Sequence, residues 1–171
     1  MSIADAAHPM PSRTPAPIEA IASESAVGYP EPFRSRMGQA SWRALGDHFG
    51  LTQFGVSLET LAPGAQSSLR HWHSLTDEFV VMRSGELALQ TDDGEFILGP
   101  GMCMGFKAGD RNAHHLINKS GAVASFLVVG SRVPGDLAFY PDDDLATLVT
   151  AQGRAAVHKD GQPYAPPAGE A

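Results

Sequence analysis

The sequence predicts an all-β protein, a stacked or closed arrangement of antiparallel strands, and three observations carry that prediction. From about Ser41 to Arg132, short apolar or alternating runs recur at roughly ten-residue spacing. Turn signals separate them: Pro63-Gly64, Asp93-Gly94, Pro100-Gly101 and Lys119-Ser120-Gly121. No segment in this region has the period of a helix. Such strands bury one face each only when sheets stack or close on themselves.

Taken in order, 51–61 alternates, with Thr52, Phe54, Val56 and Leu58 on one face and Gln53, Gly55, Ser57 and Glu59 on the other. Residues 67–73 and 79–83 read as the next two strands. Residues 85–90 and 95–99 form a hairpin around Asp93-Gly94, followed by strands at 102–106, 112–118 and 124–131. After Arg132 the rhythm stops. Asp142 to Asp144 read as the N-terminus of one short helix, since carboxylates there complement the helix dipole, and the remainder reads as irregular. Four prolines among residues 9–17 predict an extended N-terminal arm. The organisation expected is therefore a flexible or extended arm over 1–28, a barrel domain over 29–135, and a short helical or irregular segment over 136–171 packed on it.

A chain of 171 residues with 43% hydrophobic and 18% charged residues can bury a core in one domain. Its net charge of −7, with no lysine or arginine cluster, argues against a nucleic-acid partner. The single cysteine, Cys103, excludes an internal disulfide, fits a reducing cytoplasm and reads as a small buried residue. There is no apolar run long enough to span a membrane, and the first twenty residues lack the basic and apolar regions of a signal peptide. A cytoplasmic location is the expectation.

The chemistry concentrates in RHWHSLTDEFVVMRSGE, residues 70–86. Successive side chains of a strand point to opposite faces, so His71 and His73 share one with Leu69, while Arg70 and Trp72 turn the other way into packing or a dimer contact. A short turn after His73 returns the chain at Glu78. Two imidazoles and a carboxylate suit a divalent transition metal: Fe, Mn, Zn, Ni or Co. Another ligand can come from His114 or His115, which point to opposite faces, so only one of them enters a given pocket. Tyr29 and Tyr140, each followed by proline, read as loop anchors in preference to a phenolic acid or base near the mouth of the site. Met102, Met104 and Phe106 share a face and read as core filling, with lining of the pocket the alternative.

These residues resemble the cupin superfamily, whose first motif is G-x5-H-x-H-x3/4-E-x6-G. Gly64, His71, His73, Glu78 and Gly85 fit it, with six residues instead of five between Gly64 and His71. The second motif, G-x5-P-x-G-x2-H-x3-N, ends on His114 and Asn118. Two departures precede them. Lys107 stands where the motif has proline, and four residues separate Gly109 from His114 where the motif has two. The resemblance implies a jelly-roll barrel, the double-stranded β-helix of the cupins. It implies one divalent metal held by His71, His73, Glu78 and His114, with two coordination positions open for water or substrate. His115 remains the alternative fourth ligand.

An open metal site can polarise a bound oxygen. The functional expectation is a metal-dependent enzyme acting on a small oxygen-rich metabolite by isomerase, lyase or dioxygenase chemistry, with Glu78 also able to carry a proton. The rival is a non-catalytic module that binds or senses a small ligand. A homodimer is expected, with the N-terminal arm adding a strand to a partner's edge.

Overall fold

The computed structural model describes residues 11–25, 28–150 and 153–164. Twelve strands dominate them: β1 (Ala40–Ala44), β2 (Phe54–Leu61), β3 (Trp72–His73), β4 (Glu78–Ser84), β5 (Leu87–Thr91), β6 (Gly94–Leu98), β7 (Cys103–Phe106), β8 (His115–Ile117), β9 (Ala124–Ser131), β10 (Leu137–Tyr140), β11 (Leu145–Thr150) and β12 (Gly153–Val157). One short helix, α1 (Leu45–His48), follows β1. The strands form three antiparallel sheets, ordered β1-β2-β9-β4-β7, β12-β11-β10-β3 and β6-β5-β8. No helix among the described residues is long and apolar enough to cross a membrane.

The barrel interior is filled by Leu61, Val80, Met82, Leu87, Leu89, Leu98, Leu116 and Phe126 from the first and third sheets. Alternation puts Leu61 and Glu59 on the same face of β2, so Glu59 also faces inward. The apolar face of β2 is turned outward instead. Val56 and Leu58 are covered there by Ile18, Ile21, Leu45 and Leu127. The arm thus has a core of its own to serve: Ile21 is buried, and Glu24 exchanges backbone hydrogen bonds with Trp42 of β1. Its described part, 11–25, lies on its own chain's sheet; the first ten residues lie outside the described ones.

Among the described residues after 136 the expected helix is replaced by strands, which corrects the sequence expectation. Tyr140 and Leu145 face each other across a tight β10–β11 hairpin, and β11 pairs with β12. The three aspartates sit in the hairpin turn. Asp142 pairs with Arg70 and Asp143 with Arg36, while Asp144 accepts the Lys159 N–H. Engaged by these partners, they do not cap a helix, and the β-branched Thr147, Val149 and Thr150 favour the strand. The expected strand 67–73 is regular only at Trp72–His73, with one further bridge between His71 and His114. Cys103 is exposed, not buried, because β7 is an edge strand.

Two motif residues have plain structural reasons. Gly85 closes the β4–β5 turn with φ 72°, and a Cβ there would meet Ala124 at 2.7 Å, so only glycine fits. Asn118 is fully buried. Its amide donates to the Leu61 and Ala122 carbonyls, and its side-chain oxygen accepts the Ser120 N–H and O–H, which fixes the turn before β9.

Candidate metal centre

Three strand segments bring the predicted ligands together. The backbones of His71 and His114 exchange hydrogen bonds, which sets their rings side by side, 5.0 Å between centroids. His73 ends β3 on the same side as His71. The Ser74–Asp77 turn then delivers Glu78 as the first residue of β4. That turn is pinned: Asp77 accepts the Ala108 N–H, and its own N–H donates to Ser131 Oγ.

The result is three imidazole Nε2 atoms around one carboxylate oxygen. Glu78 Oε2 lies 3.2 Å from His114 Nε2, 3.9 Å from His71 Nε2 and 4.0 Å from His73 Nε2. Ligand atoms of His71, His73 and Glu78 all lie within 4.8 Å of one another. Ligands bonded at ~2.1 Å to one octahedral ion sit ~3 to ~4.2 Å apart, and the three Glu78–imidazole distances fall in that range, as suits a first-row divalent metal. The other ring nitrogens of two of the histidines agree. His71 Nδ1 lies 2.9 Å from the Leu69 carbonyl and 3.2 Å from Ser68 Oγ, and His73 Nδ1 lies 2.6 Å from Asp136 Oδ2. Nδ1–H bonds of this kind leave Nε2 as the lone-pair atom that a metal needs.

His115 is placed elsewhere. Its Nδ1 lies 3.0 Å from the Ser68 carbonyl and its Nε2 3.3 Å from Gln90 Oε1, so both nitrogens are engaged away from Glu78. His114 instead stacks flat on Phe106, with ring centroids 3.4 Å apart.

Burial holds His71 down at about 3, with the neighbouring His114 and His73 adding to the effect against the attraction of Glu78. Its imidazole is neutral at physiological pH. Burial alone would raise Glu78, but the His114 hydrogen bond and the surrounding histidines outweigh it and hold the carboxyl near 2. A neutral imidazole beside a carboxylate is the protonation state in which metals are ligated.

Several contributors were not legible in the sequence. Asp136 is 1% exposed and, besides His73, accepts hydrogen bonds from Ser74 Oγ and the Leu75 N–H. It reaches the site because Ala138 of β10 pairs with His73, and no local pattern announced that strand. Glu59 faces the barrel interior, and its carboxyl is pushed up to about 8 by burial and by the charge of Glu78, with Arg154 opposing. Tyr140, read in the sequence first as a loop anchor, is buried and stacks on His71 at 5.6 Å, its hydroxyl 3.3 Å from that of Tyr29. Arg70 is tied to Asp142 and Asp92, away from the site, as expected. Trp72, expected to face away, stacks on Phe139 and also lines the cleft beside the site. That cleft opens along His73, Glu78 and His114, walled by Trp72, Phe106 and Lys107.

The Cupin domain family matches residues 57–130, which span both motifs and all four converging side chains. Among solved structures, a sugar phosphate isomerase of the cupin superfamily from Silicibacter pomeroyi is 43% identical. It superposes with a TM-score of 0.84 over 89% of this chain and 97% of its own. This chain belongs to the cupin superfamily. A second structure, a putative sugar phosphate isomerase from Acidithiobacillus ferrooxidans, is 25% identical with a TM-score of 0.66, covering 75% of this cupin and 81% of that chain. A polyketide cyclase from Streptomyces resistomycificus shares the fold at 19% identity and a TM-score of 0.57, over 70% of this cupin and 80% of that chain. No curated protein matches this cupin significantly.

Proposed function

We propose that this cupin holds one divalent metal through His71, His73, Glu78 and His114 and isomerises a small hydroxy-carbonyl metabolite of the sugar phosphate class. The observation that carries the reading is the convergence of three Nε2 atoms on Glu78 beside an open cleft. Held by these residues, a divalent metal would supply Lewis acidity toward the ligand's oxygens. Asp136 orients His73, the Leu69 carbonyl and Ser68 orient His71, and Phe106 fixes the plane of His114. Isomerisation of an α-hydroxy carbonyl moves one proton between neighbouring carbons and one between their oxygens, and needs no oxidant. In this reading Glu78 takes the carbon-bound proton and returns it. The 43% identical isomerase from Silicibacter pomeroyi supports this substrate class, and alignment over 89% of this chain and 97% of that one supports carrying it across.

Metal-loaded protein incubated with aldose and ketose phosphates in deuterated water tests the proposal by NMR. Interconversion with deuterium at the exchanging carbon is expected. It should be lost after chelation and in Glu78→Gln. Ligand-induced thermal stabilisation with no turnover, in air and under nitrogen, across sugars, hydroxy acids and phenols would assign a binding module instead.

A further inference from the structure

The two departures from the second cupin motif fall on the wall of the cleft. Lys107, in place of the motif's proline, follows Phe106 directly and lines the cleft together with Glu78. The longer segment between Gly109 and His114 carries Arg111, whose guanidinium carbon sits 5.7 Å from the centroid of the Trp72 ring, another wall of the cleft. A cation over an indole is held there by the ring quadrupole, with its hydrogen-bonding edge left available.

This loop is fixed while its cations are left free. Gly109 N–H donates to the His73 carbonyl, and Ala108 N–H donates to Asp77. Asp110 accepts the Asn112 N–H. The Asn112 side chain in turn donates to Asp93 and accepts the Asp92 N–H. The neighbouring carboxylates Asp77, Asp93 and Asp110 are thus engaged by backbone and amide donors. Among the described residues, Arg36, Arg70, Arg83, Lys119 and Arg132 have acidic partners, and Arg34, Arg43 and Lys159 donate to backbone carbonyls. Lys107 and Arg111 pair with no acid, as Arg13 and Arg154 also do not, and of these four Lys107 lines the cleft while Arg111 stacks on its wall. In a chain of net charge −7, unpaired cations beside a cleft are fit for an anion.

We propose that Lys107 and Arg111 bind an anionic group, phosphate or carboxylate, at the end of the ligand remote from its metal-chelating oxygens. The inference rests on the metal reading above and names what selects the substrate. Arg111 offers a planar fork to the oxyanion and Lys107 a point charge, so the cleft favours a charged ligand over its neutral counterpart.

Calorimetric titration of the metal-loaded full chain with D-glucose, D-glucose 6-phosphate and D-glucuronate tests it, because the three differ only at the sixth carbon. At least one charged probe should bind ~10-fold or more tightly than glucose, with the preference shrinking as salt rises. Preference for glucose 6-phosphate identifies the anion as phosphate, and preference for glucuronate as carboxylate. The double variant Lys107→Met/Arg111→Met should abolish the preference, and Lys107→Glu should reverse it, with metal content unchanged in both. Equal binding of all three probes, or an undiminished preference in the double variant, overturns the inference. A wild-type chain that takes up no metal overturns the reading beneath it, and elemental analysis of the same samples tells the two failures apart.

Discussion

Asp136 Oδ2 lies 2.6 Å from His73 Nδ1, joining two residues 63 positions apart in the chain. The carboxylate is buried and shared with Ser74 and Leu75, so one group sets both the ring of His73 and the turn that delivers Glu78. Removing its charge while keeping its shape separates these two duties. Asp136→Asn should weaken metal affinity by ~10- to 100-fold, as measured by chelator competition, with the far-ultraviolet spectrum retained.

The same carboxylate gives a pH signature. Burial alone would raise Asp136, but the Leu75 N–H and His73 outweigh it and hold the group below the usual carboxylate range. A depressed folded-state value means its stabilisation is present above the unfolded pKa of ~3.9 and is lost as pH falls through the folded value. The acid limb of metal-free wild-type stability, followed by thermal unfolding between pH 5 and 2, should therefore be steeper than that of Asp136→Asn.

His114 and His115 are neighbours in sequence with different surroundings. His114→Ala should abolish stoichiometric metal binding. His115→Ala removes hydrogen bonds to Ser68 and Gln90 and should cost about 1–3 kcal/mol of unfolding free energy while metal content stays at the wild-type level. Metal analysis and denaturant unfolding of the two variants check this pair together.

Glu59 reports on the barrel interior. Its folded value of about 8 lies above the unfolded one, so the native state holds the extra proton and stability falls as pH rises from the unfolded value through about 8. Glu59→Gln should flatten that fall in the metal-free protein and be more stable than wild type at pH 9, by about 1–3 kcal/mol. Metal bound at Glu78 offsets part of the repulsion on Glu59, so in wild type the fall should move to lower pH once metal is added.

Much of the fold and part of the site were readable from local pattern. Period-two alternation and turn residues placed the strands between 51 and 131, and strand parity put His71 and His73 on one side. The choice of His114 over His115 followed the motif spacing to Asn118, and in the structure it is His114 that approaches Glu78. What escaped depends on pairings between distant strands. Leu145–Thr150 follows an acidic turn that reads as a helix start, and only its pairing with Tyr140 and Val157 makes it a strand. Asp136 reaches His73 through the β10–β3 register, which no local signal encodes. Glu59 sits on the polar face of an alternating strand. The arm covers that strand's apolar face from outside, so its polar face is the one turned toward the barrel interior.

The most direct test of the account is elemental analysis of protein purified without a histidine tag and offered Fe, Mn, Zn, Ni and Co in turn. About one first-row metal per chain is expected, falling to background in His71→Ala and Glu78→Ala. Wild-type protein that stays metal-free after supplementation, or a Glu78→Ala variant that keeps its full complement at unchanged affinity, would contradict it.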